Sequence, residues 1–141
     1  MQNEVFLDSS YAIALAAVSD EWHGPAIEIA LQMKAERTRM VTTHAVLCEI
    51  ANSLTKQRFR PAAVQLLRSI QADPHIEVIA VSDELFAKGF QLYSQRMDKE
   101  WGLTDCISFI VMRQHGITEG LTTDEHFRQA GFVALLAHEA R

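Results

Sequence analysis

Short apolar runs rich in β-branched residues alternate with longer stretches of helical period, and this alternation restricts the chain more than any single motif does. Val5-Phe6-Leu7 reads as a strand closed by Asp8-Ser9-Ser10, and Tyr11 to Val18 as a helix, because Ala and Leu dominate and no turn residue intervenes. Pro25 opens a second helix whose apolar positions recur at three and four residues until Arg37. Met40 to Thr43 is the next strand. The helix from His44 to Arg58 carries Val46, Leu47, Ile50, Ala51 and Leu54, and Pro61 starts another through Val64, Leu67 and Ile70. Ile76 to Val81 is a β-branched strand, and Ser82 caps a helix through Leu85, Phe86, Phe90, Leu92 and Tyr93. Thr104 to Gln114 is helical with Gly116 as its left-handed stop. Gly120 to Thr123 gives a strand, Glu125 to Gln129 a short helix, and Phe132 to Leu136 a last strand after Gly131. Each parallel crossover needs a helix-sized connection. The order therefore predicts an α/β fold, a three-layer α/β/α sandwich with a mostly parallel central sheet.

At 141 residues a single domain over 1–141 is expected, large enough for a continuous core without disulfides or a structural metal. Hydrophobic residues at 48% and charged residues at 22% exclude disordered and fibrous classes, and no repeat or linker interrupts the pattern. Cys48 and Cys106 stand 58 positions apart with no CxxC partner, so neither a zinc finger nor a disulfide framework is supported. The first basic residue is Lys34, which does not suit a secretory start, and the longest run free of Asp, Glu, Lys and Arg is eleven residues, Ser9 to Ser19. A bilayer span needs about 20. A cytoplasmic protein without a membrane segment is the expectation. The net charge of -5 argues against a protein that coats nucleic acid, but the distribution is uneven. Lys34 to Arg68 holds seven of the thirteen basic residues against two acids, Glu36 and Glu49, for a local balance of +5.

In open parallel sheets ligands bind beyond the carboxyl ends of the strands, so acids at strand-to-helix junctions are the first candidates. Asp8 and Asp124 each follow a strand, Asp105 lies in the first turn of a strongly apolar helix, and Glu49 is surrounded by Leu47, Cys48, Ile50 and Ala51. Each has a plain alternative: Asp8 and Asp124 as N-caps, Asp105 as a first-turn acid complementing the helix dipole, Glu49 as a surface residue. Burying an unpaired carboxylate costs several kcal/mol, and one divalent cation compensates all four positions together. Carboxylates without a Cys/His set favour a hard ion, Mg2+ or Mn2+, and hence phosphate chemistry, with the Lys34 to Arg68 segment holding a phosphate backbone.

The segments FLDSSYAIAL around Asp8, LCEIANSL around Glu49, WGLTDCISFIVM around Asp105 and LTTDEHFRQAGF around Asp124 resemble the four acidic motifs of the PIN-domain ribonucleases, a family that includes VapC-type toxins of bacterial toxin-antitoxin pairs. The resemblance runs from residue 5 to 136. It implies an endoribonuclease dependent on Mg2+ or Mn2+, with single-stranded or structured RNA as substrate, a cognate antitoxin as partner, and a homodimer. It also implies that Asp8, Glu49 and Asp105 are core metal-site acids and that Asp124 is a more variable fourth acting through water. Ser9, Thr104 and, more weakly, Thr123 stand as polar neighbours able to orient a water or ligand. Asn52 shares the Glu49 helical face and is read as an ordinary polar residue.

Other residues take plainer readings. His126 suits a local hydrogen bond better than metal ligation, and Cys48 and Cys106 suit helix packing better than nucleophilic catalysis. Trp101 either stacks a base or wedges its loop against the core. The alternative function is a catalytically silent PIN-like module that binds RNA or protein; retention of all four acids argues against it, because carboxylates without a cation repel phosphate.

Overall fold

A computed structural model describes residues 1–136. Its strands are β1 (Glu4–Leu7), β2 (Arg39–Thr43), β3 (Ile76–Ile79), β4 (Glu119–Leu121) and β5 (Val133–Ala134). The helices are α1 (Ser9–Ala16), α2 (His23–Glu36), α3 (His44–Ser53), α4 (Arg60–Ala72), α5 (Asp83–Gln95), α6 (Leu103–His115) and α7 (Glu125–Gln129). The strands form one sheet in the order β3-β2-β1-β4-β5, and every pairing is parallel. The chain builds outward from β1 through β2 to β3, then returns to the other side of β1 for β4 and β5. That reversal places a topological switch point between β1 and β4, where the crossovers on the two sides diverge and leave a crevice at the carboxyl edge.

Burial on both faces explains the apolar strands. Val5, Phe6, Val41 and Leu121 are fully buried, and Phe109 of α6 meets Phe127 edge to face at 5.0 Å between centroids. Gly89 of α5 permits a close helix crossing: a Cβ there would lie 2.5 Å from Ile107 Cγ1 and 3.3 Å from Ile107 Cα. The α5 and α6 backbones thus touch just beyond Asp105.

Several boundaries differ from the sequence reading: α1 runs Ser9–Ala16 rather than to Val18, β4 ends at Leu121 rather than Thr123, and three others have a visible cause. The helix expected to reach Arg58 stops at Ser53, because Ser53 Oγ bonds the Glu49 carbonyl and Thr55 Oγ1 bonds the carbonyls of Ala51 and Asn52, drawing the last acceptors out of the helical ladder. The strand expected to reach Val81 stops at Ile79, whose partner Thr43 is the last residue of β2. The last strand is short because β4 is short, although Leu135 N–H still bonds the Gly120 carbonyl and Leu136 N–H the Thr122 carbonyl.

Connectivity divides the basic segment between the two edges of the sheet. Arg37 ends α2 in a left-handed conformation and leads directly into β2, so Lys34, Arg37 and Arg39 lie toward the amino edge. The α4 helix descends to the start of β3, so its first residues point back toward the carboxyl edge, and Lys56, Arg58 and Arg60 accompany them. A cavity of about 680 Å3 opens between α2 and α4 over β2 and β3, lined by Tyr11, Leu15, Met33, Met40, Leu66 and Ile70 among others. None of the four candidate acids lines it.

Candidate functional site

Asp8 leaves β1 and Thr122 leaves β4, and since these strands are neighbours the two side chains meet at the switch point: Thr122 Oγ1 donates to Asp8 Oδ2 at 2.7 Å. Ser10 Oγ donates to the same oxygen at 3.0 Å. Thr122 Oγ1 also accepts the Asp124 N–H at 2.9 Å, so one fully buried hydroxyl orients both acids. Asp8 occupies the N-cap position of α1 but makes no capping bond, which removes the plain reading of that residue. Only 3% of it is exposed.

Glu49 reaches the same place from α3, where its Oε1 accepts the Ser9 hydroxyl at 2.5 Å. It is half-buried rather than on the open surface. Asp105 enters from the first turn of α6, its Oδ2 accepting the Gly102 N–H at 3.2 Å and lying 3.0 Å from His126 Nδ1. Asp124 does cap α7, accepting the His126 N–H at 2.9 Å, and its Oδ1 also stands 3.4 Å from His126 Nδ1. For Asp105 and Asp124 the capping role and the cluster role coexist.

Burial first, and like charges second, oppose ionisation of the acids. Burial, partly offset by the Thr122 hydroxyl and reinforced by Glu49 and Asp105, pushes the Asp8 carboxyl up to about 6. Burial also raises Asp105; the His126 hydrogen bond pulls it back and the charge of Asp124 pushes it further up. The two most buried acids share one arrangement. Each spends Oδ2 on protein donors and keeps Oδ1 out of those bonds. Ligand atoms of Asp105, Asp124 and His126 all lie within 4.8 Å of one another, a spacing at which one ion can be shared. Oxygen donors with one imidazole, arranged around unspent carboxylate oxygens, fit a divalent cation.

Of the polar neighbours singled out from sequence, Ser9 bonds Glu49, whereas Thr123 contributes only its N–H, to Ser10 Oγ, and the carbonyl of Thr104 accepts from Ser108. No local signal marks Ser10 and Thr122, and they are the residues that hold Asp8. His126 is more than a local hydrogen-bonding residue, since it joins α7 to α6 through Asp105. Trp101 is 4% exposed, packs edge-on against Phe109 at 5.2 Å and donates Nε1–H to Gln129 Oε1, so it wedges the loop. Asn52 is exposed, as expected for an ordinary polar helix residue. Burial and the neighbouring Asp105 charge push the Cys106 thiol up to about 11, which leaves it protonated and unsuited to attack.

The PIN domain family matches residues 5–133, a span that includes all four acids and His126. The chain belongs to the PIN-domain family. Members of this family are nucleases, and divalent-metal dependence is typical of them. The chain is 28% identical over 129 residues to the 23S rRNA-specific endonuclease VapC20 of Mycobacterium tuberculosis, covering 92% of this chain and 95% of the relative. The crystal structure of VapC20, described as a sarcin-ricin loop cleaving toxin, superposes with a TM-score of 0.80 over 92% of this chain and 96% of that one. VapBC2 of Rickettsia felis, bound to a DNA fragment from its promoter, shares the fold at 12% identity with a TM-score of 0.64, covering 93% and 96%. Among the described residues no helix is long and apolar enough to cross a membrane.

Proposed function

We propose that this PIN domain is an endoribonuclease that hydrolyses RNA phosphodiesters with Mg2+ or Mn2+, and that it acts as the toxin of a toxin-antitoxin pair. The observation that carries the reading is the convergence of Asp8, Glu49, Asp105 and Asp124 at the switch point, with Oδ1 of both Asp8 and Asp105 left for a ligand. A bound divalent cation supplies charge neutralisation and an activated water for attack on phosphorus. Asp8 and Asp105 would hold it, with Glu49 and Asp124 completing its surroundings, and Ser10, Thr122 and His126 fix the acids. The resemblance to VapC20 supports 23S rRNA as the substrate class, the antitoxin partner rests on the toxin family, and a homodimer accompanies both.

Cleavage of a hairpin carrying the 23S sarcin-ricin sequence, and of unstructured RNA, tests the reading. Cutting is expected with Mg2+ or Mn2+, none in EDTA, and none for Asp8→Asn or Asp105→Asn. Wild-type cleavage by either variant overturns the site assignment, and intact RNA with both metals favours a silent binding module.

A further inference from the structure

Tyr11 lies in the first turn of α1 with 2% of its surface exposed, and its hydroxyl makes no hydrogen bond to any described residue. Burial alone acts on the phenol and pushes it up to about 12, so at neutral pH it remains a donor. Among the described residues no side-chain polar atom is both sealed from solvent and unpaired, so the little surface that Tyr11 keeps includes its hydroxyl. That hydroxyl opens into the cavity of about 680 Å3 between α2 and α4, whose wall Tyr11 helps to form. Buried polar groups are nearly always hydrogen-bonded, and an unpaired donor facing a cavity points to an acceptor from outside the chain.

The remaining wall is apolar along its length and basic at one mouth. Leu15, Met33, Met40, Ile70 and Ile76 line the body. Lys34 from the last turn of α2 and Arg37 at its C-cap stand at the mouth, both exposed and without an ion-pair partner among the described residues. Asp73 at the same mouth is already engaged, accepting the His75 N–H at 2.8 Å and lying 3.5 Å from His75 Nδ1. Arg37 holds a φ of 55° at a helix end where glycine is usual, so a cation stands there against backbone preference. Phe6 pairs with Val41, which sets Leu7 at the Tyr11 end level with Thr42. The basic mouth is level with Thr38, four residues earlier, on the order of 13 Å away at about 3.3 Å per residue.

We infer that this cavity binds a small amphipathic acid, with its carboxylate at Lys34 and Arg37, its apolar chain along Met33, Met40 and Ile70, and an oxygen at its far end accepting from Tyr11 Oη. The volume falls within the range of about 300–1,000 Å3 usual for small-molecule sites. The deep wall is closed rather than open: Leu7, Tyr11, Ala12, Met33 and Ile70 are all buried. A docking helix needs apolar side chains that stand open to meet its own, whereas a narrow cavity with one donor inside and two cations at the rim suits a slender ligand with oxygen at both ends. None of the four candidate acids lines the cavity, so this site is separate from the one that cleaves RNA.

Calorimetric titration of the full chain with decanoate and with ω-hydroxydecanoate, both kept below micelle-forming concentration, tests the inference. Wild type is expected to bind one molecule of either acid per chain, the hydroxy acid tighter by about two- to tenfold, the size of one added hydrogen bond. Tyr11→Phe is expected to keep its affinity for decanoate and to bind the two acids equally. Lys34→Ala with Arg37→Gly, glycine being suited to the left-handed turn, is expected to weaken both acids and flatten their dependence on salt. Decylamine, with the same apolar chain and the opposite charge, is expected not to bind. The absence of saturable one-to-one binding by wild type overturns the inference and leaves the cavity to an apolar segment of a protein partner. A wild type that does not distinguish the two acids, a Tyr11→Phe chain that still does, or affinity untouched by loss of Lys34 and Arg37 overturns it as well.

Discussion

Thr122 Oγ1 lies 2.7 Å from Asp8 Oδ2, a contact across 114 positions of sequence that fixes which oxygen of the most buried acid remains for a ligand. Through the same hydroxyl Thr122 accepts the Asp124 N–H, so its removal strips two acids of orientation at once. Thr122→Val conserves shape and leaves a buried donor and an acceptor unsatisfied. The metal-free melting temperature is expected to fall, since each such loss costs about 1–3 kcal/mol. Mn2+ affinity measured by calorimetry is expected to drop about tenfold or more, as for other residues that orient metal ligands. Thr122→Ser keeps the hydroxyl and is expected to recover most of the affinity. Equal loss in both variants assigns Thr122 a packing role alone.

Asp8 makes the stability of the metal-free protein depend on pH in an unusual direction. Its folded carboxyl titrates near 6 against 3.8 for an ordinary aspartate, so between those values the folded state holds a proton that the unfolded chain has released. The stability is therefore fully present below about 3.8, where both states are protonated, and is lost as pH rises through 6. Its size is on the order of 3 kcal/mol at about 1.4 kcal/mol per unit. In EDTA, Asp8→Asn is expected to gain stability over wild type at pH 7.5 and to lose most of that gain at pH 4.5. Denaturant melts at the two pH values, compared as the difference between the proteins, check it; a difference independent of pH removes Asp8 from the buried cluster.

Much of this arrangement is legible in the sequence, and the parts that are not share a cause. The four acids stand out because each interrupts an apolar run or closes a strand, and Ser82 and Gly116 mark helix ends by local chemistry alone. Thr122 and His126 acquire their roles only through neighbours 114 and 21 positions away, and Ser10, which bonds Asp8 two positions away, also meets Thr122 across 112 positions. Those neighbours depend on β4 lying beside β1, and periodicity specifies strands without specifying their order. For the same reason the basic segment reads in sequence as one surface.

The division of that segment between two edges gives opposite expectations for its halves. Arg58, stacked over Phe59 at 4.6 Å, and Lys56 lie with the start of α4 toward the acids, whereas Arg37 and Arg39 lie at the amino edge. Lys56→Ala with Arg58→Ala is expected to weaken RNA binding and reduce the slope of log affinity against log salt by about one for each phosphate no longer neutralised. Arg39→Ala is expected to leave the slope unchanged. Filter binding with an Asp8→Asn background, which separates binding from cleavage, reads both; a slope that responds to Arg39 alone moves the RNA path to the other edge.

Asp105 separates electrostatic from capping roles most sharply, because both of its protein bonds use Oδ2. An asparagine with its oxygen in that place still accepts from Gly102 N–H and His126 Nδ1, and turns its amide nitrogen toward the cluster where Oδ1 stood. The helix therefore keeps its capping bond while the site loses one buried charge whose ionisation is opposed by burial and by Asp124. In EDTA at pH 8, Asp105→Asn is expected to melt above wild type. In saturating Mg2+ the order is expected to reverse, since wild type gains about 2.7 kcal/mol at a hundredfold excess over Kd and the variant gains less. If capping by the charge is the whole of its contribution, the variant melts lower by about 0.3–1 kcal/mol in both conditions and responds to Mg2+ as wild type does. Thermal melts of the two proteins with and without Mg2+ distinguish these outcomes, and the second of them takes Asp105 out of the metal site.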